Sequence, residues 1–256
     1  MKIGVLLKQV PDTETKIRIK ADASGIETDG VKFIVSPYDE YAIEEAIKTK
    51  EKNAGSEVIA ISMGPARAVD SIRTALAMGA DKGVHIDDEG QALDSYVTAK
   101  VLAGVIKEQG LEVIFTGKQA IDADMGQVSQ SIAEFLDWPQ VTILEKIEFV
   151  AGKAIATRRV SGGAKEIYDV ALPALFACEK GLNTPRYASL PNIMKAKSKP
   201  IQSLKVSALK GDASAKVLCS NYRLPPEKAP GKIIPGEAEA AVKELVKLLR
   251  EEAKVI

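Results

Sequence analysis

A doubly wound α/β fold, its mostly parallel sheet covered by helices on both faces, is the fold class the sequence predicts. Two observations carry that expectation. Through the first half of the chain, short continuous apolar runs alternate with longer segments whose apolar residues recur at helical spacing. Turn-forming residues separate the two kinds of segment, so the chain reads as repeated β–α units, which join parallel strands by right-handed crossovers. Composition agrees: 256 residues suffice for a proper core, and 46% apolar with 27% charged residues describes an ordinary globular protein.

Ile3 to Leu7 reads as a buried first strand, followed by an excursion from Pro11 to Gly30. Tyr41, Ala42, Ile43, Ala46 and Ile47 then mark a helix over 39–52. Val58 to Ser62 is the next strand, and Gly64-Pro65 turns into a helix through Ala77, with Pro65 suited to its first turn. A short strand at Val84 to Ile86, a helix over 94–109, a strand at Val113 to Thr116 and a helix from Ser129 to Leu136 complete the repeating part. From Val141 the texture changes. Two alternating runs flank Ala151-Gly152 as a hairpin, and a third, from Lys165 to Leu172, precedes the apolar Ala174 to Ala177; these read as strands added at one side of the sheet. Beyond Arg186 periodicity fails and proline recurs, up to a helix over 237–252. The expected organisation is a nucleotide-binding α/β domain over 1–185 and an extended C-terminal arm over 186–256 that lies on another chain.

Charge and cysteine content narrow the function. Thirty-five basic residues balance 35 acidic ones, which removes any global attraction to nucleic acid. Cys178 and Cys219 are too few for a disulfide framework and form no short-spaced metal pair. No apolar run approaches the ~20 residues that span a bilayer, and the N-terminus enters a strand without a signal-like stretch. A soluble, cytoplasmic protein without membrane insertion is expected.

In doubly wound sheets, ligands sit beyond the carboxyl ends of strands. Three segments occupy such positions: Lys8 to Asp12, Met63 to Pro65, and Gly117 to Val128. In the third, Gly117 and Gly126 allow close backbone approach, while Gln127 and Val128 open a helix whose N–H groups suit an anion. Asp122 and Asp124 would repel phosphate, so at least one should cap the helix or bond a ribose. A solvated β–α loop is the competing reading. Neither a P-loop nor G-x-G-x-x-G occurs there, which argues against a standard NTPase or dinucleotide fold. Ser36 to Asp39 has the character of a helix cap and could also hold an adenine ring on its backbone. The single histidine, His85, reads as a packed strand residue and Cys178 as a small core residue. Around Leu190, Ile193 and Met194, the basic Arg186, Lys195, Lys197 and Lys199 suggest either a solvated loop or an apolar docking anchor ringed by steering charge.

Across nearly its whole length the chain resembles the beta subunit of electron transfer flavoproteins, in its AMP-binding, mammalian-like group. The matching segments are Val31-Lys32, Ser36 to Tyr38, Ile72 to Asp81, Gly117 to Asp124, Phe135 to Gln140 and Pro185 to Lys197. The resemblance implies a heterodimer with an alpha subunit that holds the redox-active FAD. It also implies structural AMP bound by the loops containing Leu6, Ser36, Asp39, Met63, Gly126, Gln127 and Val128, with Asp122 as the ribose candidate. In the electron-bifurcating group, the alternative, a second FAD takes that place. Met125 to Val128 departs from the polar Asn-Gln-Thr run of mammalian-like members, so backbone contacts are expected there. Leu190 is implied to anchor partner dehydrogenases, with Ile193, Met194, Lys195 and Lys197 around it. Electrons would pass from acyl-CoA or related dehydrogenases of fatty acid oxidation to a membrane quinone oxidoreductase, without a catalytic acid or base in this chain. The implied compartment is bacterial cytoplasm or, in a eukaryote, the mitochondrial matrix. An independent nucleotide-binding enzyme of similar fold is the remaining alternative.

Overall fold

The computed structural model describes residues 1–228 and 230–256. Strand β1 (Lys2–Leu7) is followed by a small antiparallel ribbon of β2 (Gln9–Pro11) and β3 (Phe33–Val35). The α/β repeat then runs through α1 (Pro37–Lys52), β4 (Glu57–Gly64), α2 (Ala68–Met78), β5 (Lys82–Asp87), α3 (Ser95–Gln109), β6 (Val113–Gly117) and α4 (Val128–Leu136). After it come the antiparallel β7 (Gln140–Val150), β8 (Lys153–Arg159) and β9 (Lys165–Ala171), then β10 (Ala174–Cys178), α5 (Leu190–Ala196), β11 (Ile201–Lys205), α6 (Val206–Leu209) and α7 (Ala238–Glu251).

Nine strands form one sheet in the order β11-β5-β4-β1-β6-β10-β7-β8-β9. Its central strands β4, β1, β6 and β10 are apolar on both sides because helices cover both sides there. Ile3 and Val5 of β1, with Val58, Ala60, Val113 and Phe115, pack beneath α1 and α2 through Ile43, Ile47, Ile72 and Leu76. Ile59, Ile61 and Ile114 point the other way, onto Leu102, Ile106 and Ile132 of α3 and α4. The Asp94 side chain starts α3 by accepting from the Val97 N–H at 2.9 Å, and left-handed Gly110 ends it. Pro65 is not in the first turn of α2: it sits three residues earlier, where its carbonyl accepts from the Ala68 N–H in a separate turn.

The hairpin through Ala151 and Gly152 is as expected, both residues having positive φ. The strand before Cys178 is not an added edge element. It enters the interior as β10, parallel to both β6 and β7, and puts Phe176 5.8 Å from Phe115 in the core. Residues just beyond Arg186 likewise return to the body: α5 packs on α2, and β11 lies parallel to β5 at the sheet edge. From Lys210 onward, among the described residues, only α7 is regular, and none of its residues is buried. No helix among the described residues is long and apolar enough to cross a membrane.

Gly83 shows how closely this edge is fitted. A Cβ there would lie 2.4 Å from Cγ2 of Ile72 and 3.0 Å from Cγ1 of Ile201. Gly83→Ala should therefore overpack the joint between α2, β5 and β11 and cost ~1–3 kcal/mol. A lower urea midpoint with unchanged denaturant slope is the expected result; an unchanged midpoint would show that the joint yields freely.

Candidate nucleotide crevice and docking face

Strand order reverses between β1 and β6. The chain proceeds from β1 outward through β4 and β5, then returns to the opposite side of β1 with β6. In sheets of this kind a ligand crevice is expected at the carboxyl ends where the two series diverge. Asp39, in the first turn of α1, closes its floor: one carboxylate oxygen accepts from the Lys8 N–H at 2.7 Å and the other from the Gly117 N–H at 3.0 Å. Burial pushes the Asp39 carboxyl up to about 7, and the two N–H donors restrain that rise. Gly117 serves this contact and not a ligand, since a Cβ there would lie 2.4 Å from Asp39 Oδ1 and 2.7 Å from Tyr38 Cβ.

Ser36 occupies the N-cap position of α1, but its hydroxyl caps nothing. The residue is fully buried and its Oγ has no hydrogen-bond partner among the described residues, which corrects the capping role. Only its backbone is engaged, donating to the Lys8 carbonyl at 2.9 Å and accepting from the Asp39 N–H at 2.8 Å. Gln9 adds a second buried orphan, Oε1, while its Nε2 donates to the Arg67 carbonyl. A buried polar atom without a partner is costly in a folded chain and marks a place where a ligand or water supplies the missing bond.

The remaining crevice residues come from the flanking loops. Leu6, one residue before the end of β1, is buried, and Met63 stands half-buried near the end of β4. Asp122 neither caps α4 nor stands free: it pairs with the Lys8 ammonium at 2.8 Å. Asp124 accepts from Gln119 Nε2 at 2.8 Å, so neither aspartate caps the helix. Gly126 takes φ +58°, and an added Cβ would meet nothing closer than the Lys118 carbonyl oxygen at 3.7 Å, so its need is conformational. Gln127 is exposed, Val128 packs on the α3–α4 side, and the first-turn N–H groups of α4 have no intrahelical acceptor. Two open clefts lie elsewhere. One of about 400 Å³ is lined by the excursion over 12–32; the other, about 390 Å³, lies among Lys118, Arg158, Arg159 and Glu179. Lys118 was not singled out by its sequence context; its ammonium donates to buried Glu179 at 2.7 Å, which holds its pKa above the usual range.

Packed His85 meets the Gly64 carbonyl at 3.0 Å, and burial pushes the Cys178 thiol well up. Neither has the surroundings of a catalytic group. On α5, Leu190, Ile193 and Met194 are 74%, 43% and 59% exposed. Lys195 and Lys197 face solvent beside them, whereas Arg186 and Lys199 do not contribute steering charge: both are bonded inward.

A doubly wound α/β protein with unsatisfied polar groups at its topological switch point and an exposed apolar helix face is thus defined. A profile of the electron transfer flavoprotein domain matches residues 24–209. The mitochondrial electron transfer flavoprotein subunit beta of Arabidopsis thaliana is 43% identical over the full length of both chains. The subunit beta of Bacillus subtilis (strain 168) is 44% identical, again over the whole of both. That of Homo sapiens is 42% identical over 90% of this chain and 91% of its own. The chain belongs to the electron transfer flavoprotein beta-subunit family, whose members are electron carriers.

The Asp39 carboxyl makes stability depend on pH. Its pKa in the fold, about 7, lies above the ordinary 3.8, so between these values the folded state keeps a proton that the unfolded chain has released. Raising pH through that window must remove stability, by at most ~4 kcal/mol. Asp39→Asn should abolish this loss, so that urea midpoints of the two proteins converge or cross between about pH 4 and pH 7. Parallel pH profiles would show that Asp39 does not titrate in this range.

Proposed function

We propose that this chain is the beta subunit of a heterodimeric electron transfer flavoprotein that binds AMP in the β1–β6 crevice and presents α5 to partner dehydrogenases. The observation that carries the nucleotide assignment is the fully buried, unpartnered Ser36 hydroxyl at the N-terminus of α1, with the orphan Gln9 side-chain oxygen as a second such atom. An adenine nucleotide supplies polar edges to such groups, and the free first-turn N–H groups of α4 suit its phosphate. Asp39 holds the two strand ends at a fixed separation beneath it. Lys8 pairs with both Asp122 carboxylate oxygens, at 2.9 and 2.8 Å, which lessens the repulsion a phosphate would meet.

FAD held by the alpha subunit would supply the redox chemistry between acyl-CoA or related dehydrogenases and a membrane quinone oxidoreductase. This chain's residues bind, position and dock. Leu190, Ile193 and Met194 form the apolar anchor, with Lys195 and Lys197 as its basic rim. The arm packs on the alpha subunit, for which α7 is suited: Val242, Leu245 and Val246 line one side of it and are exposed. The bacterial cytoplasm or mitochondrial matrix is the fitting compartment, as the relatives include a Bacillus protein and a mitochondrial one.

Denaturing the purified heterodimer and quantifying released nucleotide tests this reading. One AMP and one FAD per heterodimer are expected. Two FAD with no AMP would overturn it in favour of an electron-bifurcating subunit.

A further inference from the structure

Helix α5 has too little core to hold itself in place. It has seven residues, far fewer than the ~12–15 at which isolated helices become even marginal in water. Ala196 is its one buried residue, while Leu190, Ile193 and Met194 face outward and Tyr187, just before it, is 99% exposed. Apolar burial therefore does not explain its position.

Polar straps hold both ends. Ahead of the helix, the Arg186 guanidinium forks across two carboxylates of α1. Nε and Nη2 donate to Glu44 at 2.8 and 3.0 Å, and Nη1 and Nη2 donate to Glu51 at 2.6 and 3.0 Å. Glu44 is buried and receives the Arg186 backbone N–H as well. Asn183 adds bonds to the Glu45 carboxylate and the Tyr41 carbonyl. Behind the helix, Arg73 of α2 donates to the carbonyls of Ala196 and Lys199 at 2.6 and 2.8 Å. Lys199 answers by donating to the carbonyls of Leu76 and Ala80 at 2.9 and 2.5 Å. Each cation thus sits at the carbonyl end of the other's helix, where helix dipoles favour positive charge.

We propose that Arg73, Arg186 and Lys199 are positioning residues for partner docking: they fix α5 on α1 and α2 before any partner arrives. This rests on the reading of α5 as the docking face. The exposed Leu190 then enters its partner without first having to be ordered, which is the costly part of many associations. The straps also divide the local cations into two sets. Arg73, Arg186 and Lys199 are bonded within the chain, and Lys195 and Lys197 remain for a partner whose apolar pocket carries an acidic rim.

Flavin reduction in the purified heterodimer, driven by an acyl-CoA dehydrogenase with its acyl-CoA substrate, reads the effect as KM for the dehydrogenase against kcat. Glu51→Gln acts at a half-exposed carboxylate and leaves the Glu44 bonds in place, and Arg73→Met removes the Arg73 half of the second strap, leaving the Lys199 bonds. Each should raise KM by ~3–10-fold at constant kcat and speed hydrogen exchange in α5, while Arg73→Lys recovers part of the loss. Leu190→Ala should raise KM by ~10-fold or more, and adding Glu51→Gln or Arg73→Met to it should change KM less than ~2-fold further, since the anchor they position is gone. Strap variants that leave KM unchanged, or that raise it as much with Leu190→Ala as without, would overturn the positioning role while the docking face stands. An unchanged KM for Leu190→Ala alone would remove the docking face itself and the proposal with it.

Discussion

The Asp39 carboxylate bridge on which the switch point depends joins two strand ends that the sheet topology drives apart. At the reversal of strand order, β1 and β6 are neighbours but their following loops leave in different directions, and the Lys8 and Gly117 N–H groups are left without ladder partners. One carboxylate satisfies both. It does so from the first turn of α1, where a negative charge also meets the favourable end of the helix dipole. Everything that borders the crevice follows from that bridge. Gly117 must lack a side chain to admit it, Ser36 is carried into the interior by it, and Lys8 is aligned to meet Asp122.

The bridge also separates stability from binding. A carboxyl raised to about 7 by burial is not the choice that maximises stability at neutral pH, nor is a buried hydroxyl without a partner. Both lie in the same few residues, 36 to 39, buried beneath the β1–β6 switch point. Elsewhere Ser62 is satisfied by the Leu7 carbonyl and Thr116 by Ser129, while single buried atoms of Gln130, Glu145, Arg158 and Asn183 also lack a hydrogen-bond partner among the described residues. Departures of this kind at the switch point are what a binding site there would cost its own fold.

Much of this was legible in the sequence because strands buried on both faces must be continuous apolar runs, and helices between them must be amphipathic. Ile3 to Leu7, Val58 to Ser62 and Val113 to Thr116 announce themselves in that way. The placement of β10 was not legible, since the neighbours of an apolar strand are decided by the route of its connection and not by its composition. Nor was β11: an edge strand with mostly exposed residues between Ile201 and Lys205 carries no clear period. Ser36 looks the same in sequence whether its hydroxyl turns to its own helix or into a crevice. The basic residues posed the same difficulty. Arg186 and Lys195 are equivalent as charges, and only the distant Glu44 and Glu51 on α1 show that one is bonded and the other free.

Two exposed apolar helix faces leave this chain incomplete by itself, and they differ in how they are held. α5 is short and strapped at both ends by charged bonds to α1 and α2. α7 is twice as long, with no buried residue, and its exposed Val242, Leu245 and Val246 face no core of this chain. Its own Lys243–Glu239 pair supports the helix but does not fix it to the body. A helix held beforehand suits a partner that comes and goes, because each encounter then needs no reordering. A helix whose position is supplied by the partner suits a permanent one, for which ordering happens once, at assembly. That difference in attachment is what the proposed docking of a transient donor at α5 and of a resident subunit on the arm would require.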